Sequence, residues 1–199
     1  MPIIDFHTHR TTAEGVITPR CFGIHPWNCA QADLSLLSIQ NPEFKEAEIV
    51  GECGLDKCCD TPWDTQMEFF VRQIEIAEHL HKPLVIHCVR SFNELTELRR
   101  DHRATPWVVH GFTGSIELYT QLTKWDIGVS FGAAILDPQR TKVRETLAVA
   151  DPYRIFLETD DSGADIHEIY RTAKLITKND NLEGIIKQHW ETLNQTADN

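Results

Sequence analysis

The feature of this 199-residue chain that most limits its fold is a regular alternation of short apolar runs with longer amphipathic stretches. The runs are IIDF (3–6), CFGI (21–24), EIVG (48–51), PLVI (83–86), WVV (107–109), IGVSF (127–131) and RIFLE (154–158), several rich in the β-branched residues that suit buried strands. Between most of them apolar residues recur at spacings of three and four: Met67, Phe70, Val71, Ile74 and Ala77; Leu95 with Leu98; Leu118 with Leu122; Val143, Leu147 and Ala150; Ile166, Ile169, Tyr170 and Ala173. Continuous apolar strands separated by helices predict a parallel sheet covered by helices, either open or closed into a barrel. The glycine-rich turn of a dinucleotide-binding sheet is missing, which favours an α/β chain of the TIM-like (β/α) barrel type.

Helix starts are marked at Thr61-Pro62-Trp63-Asp64, Ser91-Phe92-Asn93-Glu94 and Asp165-Ile166-His167-Glu168, where a side-chain acceptor precedes an acid three residues on. One interval breaks the rhythm. Residues 10–20, RTTAEGVITPR, are polar, contain Gly15 and Pro19, and barely reach the ~10–12 residues of a helical crossover. The expectation is therefore a shortened or distorted barrel of seven strands, with no regular helix in that interval, because a full eightfold barrel takes roughly 250 residues.

No repeat, linker or shift in composition divides the chain, so residues 1–199 are expected to form a single domain. A 41% hydrophobic share supplies a core, and no run of about 18 apolar residues could span a bilayer, so no membrane partner is expected. The opening MPIIDFHTHR lacks the basic start and apolar run of a signal peptide, which predicts a cytoplasmic chain. The net charge of −11 opposes a broad electrostatic grip on nucleic acid, though not a local phosphate site. Six cysteines without CxxC pairs read as reduced thiols; a zinc cluster of Cys53, Cys58 and Cys59 would lack a second ligand pair of the usual spacing.

The histidines carry the chemistry. His7, His9, His25, His87 and His110 all fall at or just beyond the C-terminal end of a candidate strand, where parallel α/β folds gather functional groups. Period two places Asp5, His7 and His9 on one face of the first strand, with Ile4 and Phe6 on the other. Glu52 follows EIVG directly, and Asp160 ends RIFLETD. Each residue alone could be structural, a hydrogen-bonded histidine, a carboxylate paired with lysine or a helix cap. His7, His9, Glu52, His87, His110 and Asp160, six imidazole and carboxylate donors from five strand ends, instead suit zinc, manganese, iron or nickel, and a glutamate between two ligand groups can bridge two ions.

The motifs DFHTH, GIHPW, VGECGLD, KPLVIHC, VVHGFTGS and FLETD, in this order from Ile3 to about Asp161, resemble those of TatD-type metal-dependent hydrolases within the amidohydrolase-like barrels. The resemblance implies one ion held by His7, His9, Glu52 and Asp160 and a second held by Glu52, His87 and His110, with Glu52 bridging. It implies one or two divalent ions (Zn, Mn, Mg, Fe or Ni) and a deoxyribonuclease or exonuclease that hydrolyses phosphodiesters at nucleic-acid ends. Asp160 would orient or deprotonate the water, His25 would support a ligand or donate to substrate, and Arg90 and Lys57 are candidate phosphate contacts. The acidic composition predicts weak, salt-sensitive binding of DNA or another phosphodiester. The chain departs from the family where Lys57-Cys58-Cys59-Asp60 replaces aromatic residues and an arginine after GLD, and where Asp161-Ser162-Gly163 follows ETD. Trp27 and Trp63 lie beside motif loops, where an indole can stack on a base or cover the mouth of a barrel. Hydrolysis of amides, lactones or small phosphoesters uses the same metal chemistry, and a metal-binding scaffold without turnover is the alternative from another class.

Overall fold

The structure, a computed structural model, describes residues 2–10 and 14–195. In chain order the elements are β1 (Ile3–Ile4), β2 (Val16–Ile17), β3 (Cys21–Phe22), α1 (Pro42–Glu46), β4 (Ile49–Asp56), α2 (Trp63–His79), β5 (Leu84–Val89), α3 (Phe92–Asp101), β6 (Trp107–Val109), α4 (Ile116–Lys124), β7 (Ile127–Phe131), α5 (Thr141–Val149), β8 (Ile155–Leu157), α6 (Ile166–Thr177) and α7 (Leu182–Gln195). The α/β class expected from the alternation is the class observed. No helix is long and apolar enough to cross a membrane among the described residues.

Two compact units emerge, one of residues up to Pro19 together with His110–Thr192, the other of Arg20–Val109 with the residues from Leu193 on. In the second unit, β3, β4, β5 and β6 pair side by side, all parallel. Ile49, Val50, Cys53, Leu84, Val85 and Ile86 are fully buried there, as are Phe70, Ile74 and Ala77 of α2. Parallel strands covered by helices must be apolar on both faces, and IVGECGLD and PLVI have that composition.

In the first unit β1 pairs in parallel with β2, and β7 with β8. Beyond β1 the chain runs alongside β8: Phe6 N donates to Leu157 O at 3.0 Å, and Asp160 N to His7 O at 2.9 Å. Phe6 and Phe156 stack with centroids 4.1 Å apart, and the buried Tyr170 hydroxyl of α6 donates to Ile4 O at 2.9 Å.

All seven expected strands are present, but the described residues hold an eighth, and the count of seven is corrected on that point. Val16–Ile17, inside the interval read as a gap, forms β2 against Ile3–Ile4. The described part of this connection is not helical, as expected, yet a two-residue strand needs too little sequence to leave a periodic signature. Of the three marked helix starts, Asp165 caps α6 through its carboxylate, which accepts from His167 N. Thr61 and Ser91 do not cap: α2 begins after Pro62, and Ser91 Oγ instead donates to Leu55 O at 2.9 Å, tying α3 to β4.

Candidate metal centres

Each unit gathers its own group of ligand-type side chains; His7, His9 and Asp160 lie beyond β1 and β8 and His25 beyond β3, whereas Glu52 and His87 lie within β4 and β5, because β4 runs on past the expected end at Gly51 to Asp56. In the first unit His7, His9 and Asp160 bring one donor atom each to within 4.8 Å of the others. His7 Nε2 lies 3.9 Å and His9 Nε2 3.5 Å from Asp160 Oδ1. Tetrahedral ligands about 2.1 Å from an ion lie about 3.5 Å apart, so these separations fit a divalent cation better than they fit direct hydrogen bonds. The two rings stand nearly perpendicular, at 83°. His7 is 4% exposed and His9 56%, so the group opens to solvent on the His9 side.

The backbone fixes this arrangement. Asp160 takes a left-handed φ of 51°, which a short polar side chain tolerates, and the chain there bridges Thr8. Asp5 is buried beneath and accepts from Thr159 N at 2.9 Å and Thr159 Oγ1 at 2.7 Å. Burial pushes the Asp5 carboxyl up to about 6 despite those bonds. His110, whose ring lies 5.0 Å from that of His7, directs Nδ1 at Glu158 Oε1, 3.5 Å away. Glu158 is fully buried and also accepts from Gly111 N and Ser130 Oγ. Burial alone would raise its pKa, but hydrogen bonding and charge from His110, with lesser help from His7 and Ser130, hold it below the ordinary value.

In the second unit His25, Glu52 and His87 form the corresponding group. Two glycines set it. Gly51 and Gly54 adopt φ of 139°, and a Cβ at either would lie 2.3 Å from Val85 O or 2.0 Å from His87 O. β4 therefore lies flush against β5, Gly54 pairs with His87, and a register shift between Val50 and Cys53 re-aims the chain at Glu52. His87 Nδ1 then lies 3.0 Å from Glu52 Oε1, and His87 Nε2 lies 3.1 Å from Asp56 Oδ2. A neutral imidazole carries one N–H for these two acceptors, so the remaining contact accommodates either a second proton or a cation, and the donor set fits a divalent ion.

His25 differs. Its Nδ1 accepts from Trp27 N at 3.2 Å, which places its proton on Nε2, 3.1 Å from Glu52 Oε1. Buried glutamines of α2 hold the surroundings: Gln73 accepts from Ile24 N and donates to Ile24 O just before His25, and Gln66 does the same with Asp56 N and O. Asp56 further accepts from Trp27 Nε1 at 2.7 Å and Cys58 N at 2.7 Å. Burial opposes ionisation of Asp56, but these bonds and His87 keep its pKa below the ordinary value.

Arg90 is exposed directly after β5, in a left-handed conformation, and Lys57 is ion-paired with Glu94. Asp56 and Glu158 were not singled out from the sequence, although both lie inside quoted motifs, GLD and FLETD. All six cysteines are free thiols, and none joins a candidate metal group among the described residues.

Residues 5–188 match the family model described as TatD related DNase. The chain belongs to the TatD-related DNase family. It is 33% identical over 150 residues to the human 3'-5' RNA nuclease TATDN2, covering 70% of this chain and 19% of that protein. It is 30% identical to the uncharacterized metal-dependent hydrolase YjjV of Escherichia coli, over 69% of this chain and 56% of that protein. The crystal structure of YjjV, a TatD homologue, superposes with a TM-score of 0.76 at 19% identity, covering 91% of this chain and 77% of that one. The matched region thus spans between about a fifth and just over half of these two curated relatives.

Proposed function

We propose that this TatD-family chain is a metal-dependent phosphodiesterase that hydrolyses nucleic-acid ends, as a deoxyribonuclease or exonuclease. The observation that carries the reading is the pair of histidine and carboxylate groups, His7/His9/Asp160 and His25/Glu52/His87, each with donor atoms within 4.8 Å. One or two divalent ions (Zn, Mn, Mg, Fe or Ni), when bound, would polarise a phosphoryl oxygen and make water acidic near neutral pH. His7, His9 and Asp160 would hold the first, and His87 with Glu52 the second; the resemblance assigns His110 to the second and a bridging role to Glu52.

The protein's own groups then have separate tasks. Asp160 accepts the proton from the attacking water. His25 donates from Nε2 to Glu52 and so fixes the carboxylate's orientation, a supporting task consistent with its tautomer. Asp56 does the same for His87, and Glu158 for His110. Arg90, exposed beyond the strand that carries His87, is available for a substrate phosphate. With a net charge of −11, the chain is expected to bind DNA weakly and in a salt-sensitive way, through the ions and a few side chains.

Relatives bear names such as 3'-5' RNA nuclease and, in Pantoea ananatis, 3'-5' ssDNA/RNA exonuclease TatD, which supports a nucleic-acid substrate over a carbonyl one. The test is a parallel assay of the metal-loaded protein on single-stranded oligonucleotides, a phosphomonoester and a lactone. Stepwise shortening of the oligonucleotide, abolished by EDTA, is the expected result. Turnover of the lactone or phosphomonoester alone would overturn the reading.

A further inference from the structure

Beside the His87 group lies a cavity of about 400 Å3 that the ligand residues do not explain. Asp56 forms part of its wall, so one carboxylate separates it from His87. The other walls include Gln66, Lys57, Trp63 and Glu94. Gln66 is fully used in holding the backbone around Asp56 and Thr61. The remaining three have capacity to spare. The Lys57 ammonium stands 5.3 Å from the centroid of the Trp63 ring and pairs with Glu94 Oε1. Glu94 Oε2 is buried with no hydrogen-bond partner among the described residues.

An aromatic face, an under-satisfied carboxylate and a movable cation suit a planar aromatic ligand that carries amino groups and a nearby negative charge. The volume lies within the ~300–1,000 Å3 range of small-molecule sites. We propose that the cavity is a nucleobase subsite, in which Trp63 stacks on a base of the bound strand and Glu94 accepts from that base's exocyclic amino group. The base takes the position over the indole that Lys57 holds in the free protein. Stacking on an aromatic residue strengthens binding by about tenfold per base, more than an exposed cation over the same ring contributes. The displaced Lys57 is then free to meet the phosphate of the same nucleotide. Rotation about the soft terminal torsion of Glu94 presents Oε2 to the base. The proposal deepens the nuclease reading and rests on it for the identity of the ligand.

The test is fluorescence anisotropy on manganese-loaded protein, with octamers whose phosphorothioate linkages slow hydrolysis: deoxyadenosine, thymidine and a base-free strand of equal charge. Wild type should bind the deoxyadenosine octamer about tenfold more tightly than the base-free one. In Trp63→Ala that ratio should fall to within about twofold, with Trp63→Phe retaining most of it. Glu94→Gln, which keeps the side chain's size, should lose the preference for deoxyadenosine over thymidine and guards against a misfolded tryptophan variant. A wild type indifferent to bases, or a ratio unchanged in Trp63→Ala, overturns the subsite. Cleavage of ordinary strands is scored separately: base-dependent binding without cleavage fails the nuclease reading alone, and cleavage without base-dependence fails the subsite alone.

Discussion

The imidazole of His87 is held between two carboxylates, with Nε2 3.1 Å from Asp56 Oδ2 and Nδ1 3.0 Å from Glu52 Oε1. A ring gripped in this way can aim only one nitrogen at a cation while the other is spoken for. Asp56→Asn keeps the shape but weakens the acceptor, and a supporting partner of a ligand histidine contributes about 10- to 100-fold in metal affinity. Competition with a chromogenic chelator should show a loss of that size with unchanged circular dichroism. An unaltered affinity would make Asp56 a purely structural carboxylate.

Asp160 should matter more for turnover than for metal content. An amide still offers an oxygen ligand but no useful basicity, so Asp160→Asn is expected to keep the fold and most of the metal while losing about 100-fold or more in hydrolysis. Rates compared at equal metal occupancy check this. Activity within a few-fold of wild type would remove Asp160 from the role of general base.

Metal stoichiometry tests the bridging role implied for Glu52. Glu52→Ala should lower the content of both ions after dialysis, whereas His110→Ala should lower at most one, because each variant removes a ligand from a different number of ions. Elemental analysis reads the difference. Full content in Glu52→Ala would end the bridging assignment.

The two β4 glycines make a steric prediction. A Cβ on Gly54 would sit 2.0 Å from a backbone oxygen at φ 139°, whereas Gly15, at φ 79°, has nothing within 4 Å. Gly54→Ala should therefore cost about 3 kcal/mol or more, and Gly15→Ala only about 1 kcal/mol from backbone strain. In a chain of this size each kcal/mol shifts Tm by about 2–4 °C, so calorimetry separates the two.

His189 of α7 stacks on Phe156 with centroids 4.4 Å apart, and burial pushes its pKa below the ordinary 6.5. The folded state thus prefers the neutral ring. Its contribution to stability is complete above pH 6.5 and is lost as pH falls below that value, because the unfolded chain then takes up a proton that the folded one resists. His189→Gln should lose less stability than wild type between pH 7.5 and 5.5 in urea unfolding. A larger loss in the variant would contradict the sign.

The strand-end histidines are legible because the alternation of strands and helices leaves a clear change of period, and a polar imidazole stands out at the end of an apolar run. His87 and His110 emerge in that way, and Glu52 only through its place in the chain among those histidines. Asp56 and Glu158 did not, since a carboxylate at the end of a strand has the same local pattern whether it binds a ligand, orients one or caps a turn. Their roles follow from contacts such as Glu158 to His110, which lie 48 residues apart in the chain (158 − 110) and leave no trace in local periodicity. β2 was missed because two residues carry no period. Thr61 and Ser91 were misjudged as caps because a hydroxyl beside a helix start can serve any nearby carbonyl, and for Ser91 that carbonyl is Leu55 O.

The two ligand groups also differ in when they can exist. His25, Glu52 and His87 lie on one continuous stretch, Arg20–Val109, whereas His7 and His9 must await Asp160. Between Val109 and Asp160 lie 51 further peptide bonds (160 − 109), which at about 5–20 residues per second take roughly 3–10 s to synthesise. During that interval the nascent chain offers one set of donors and not the other. The residues of the His87 group are thus all synthesised before Asp160 completes the His7 group.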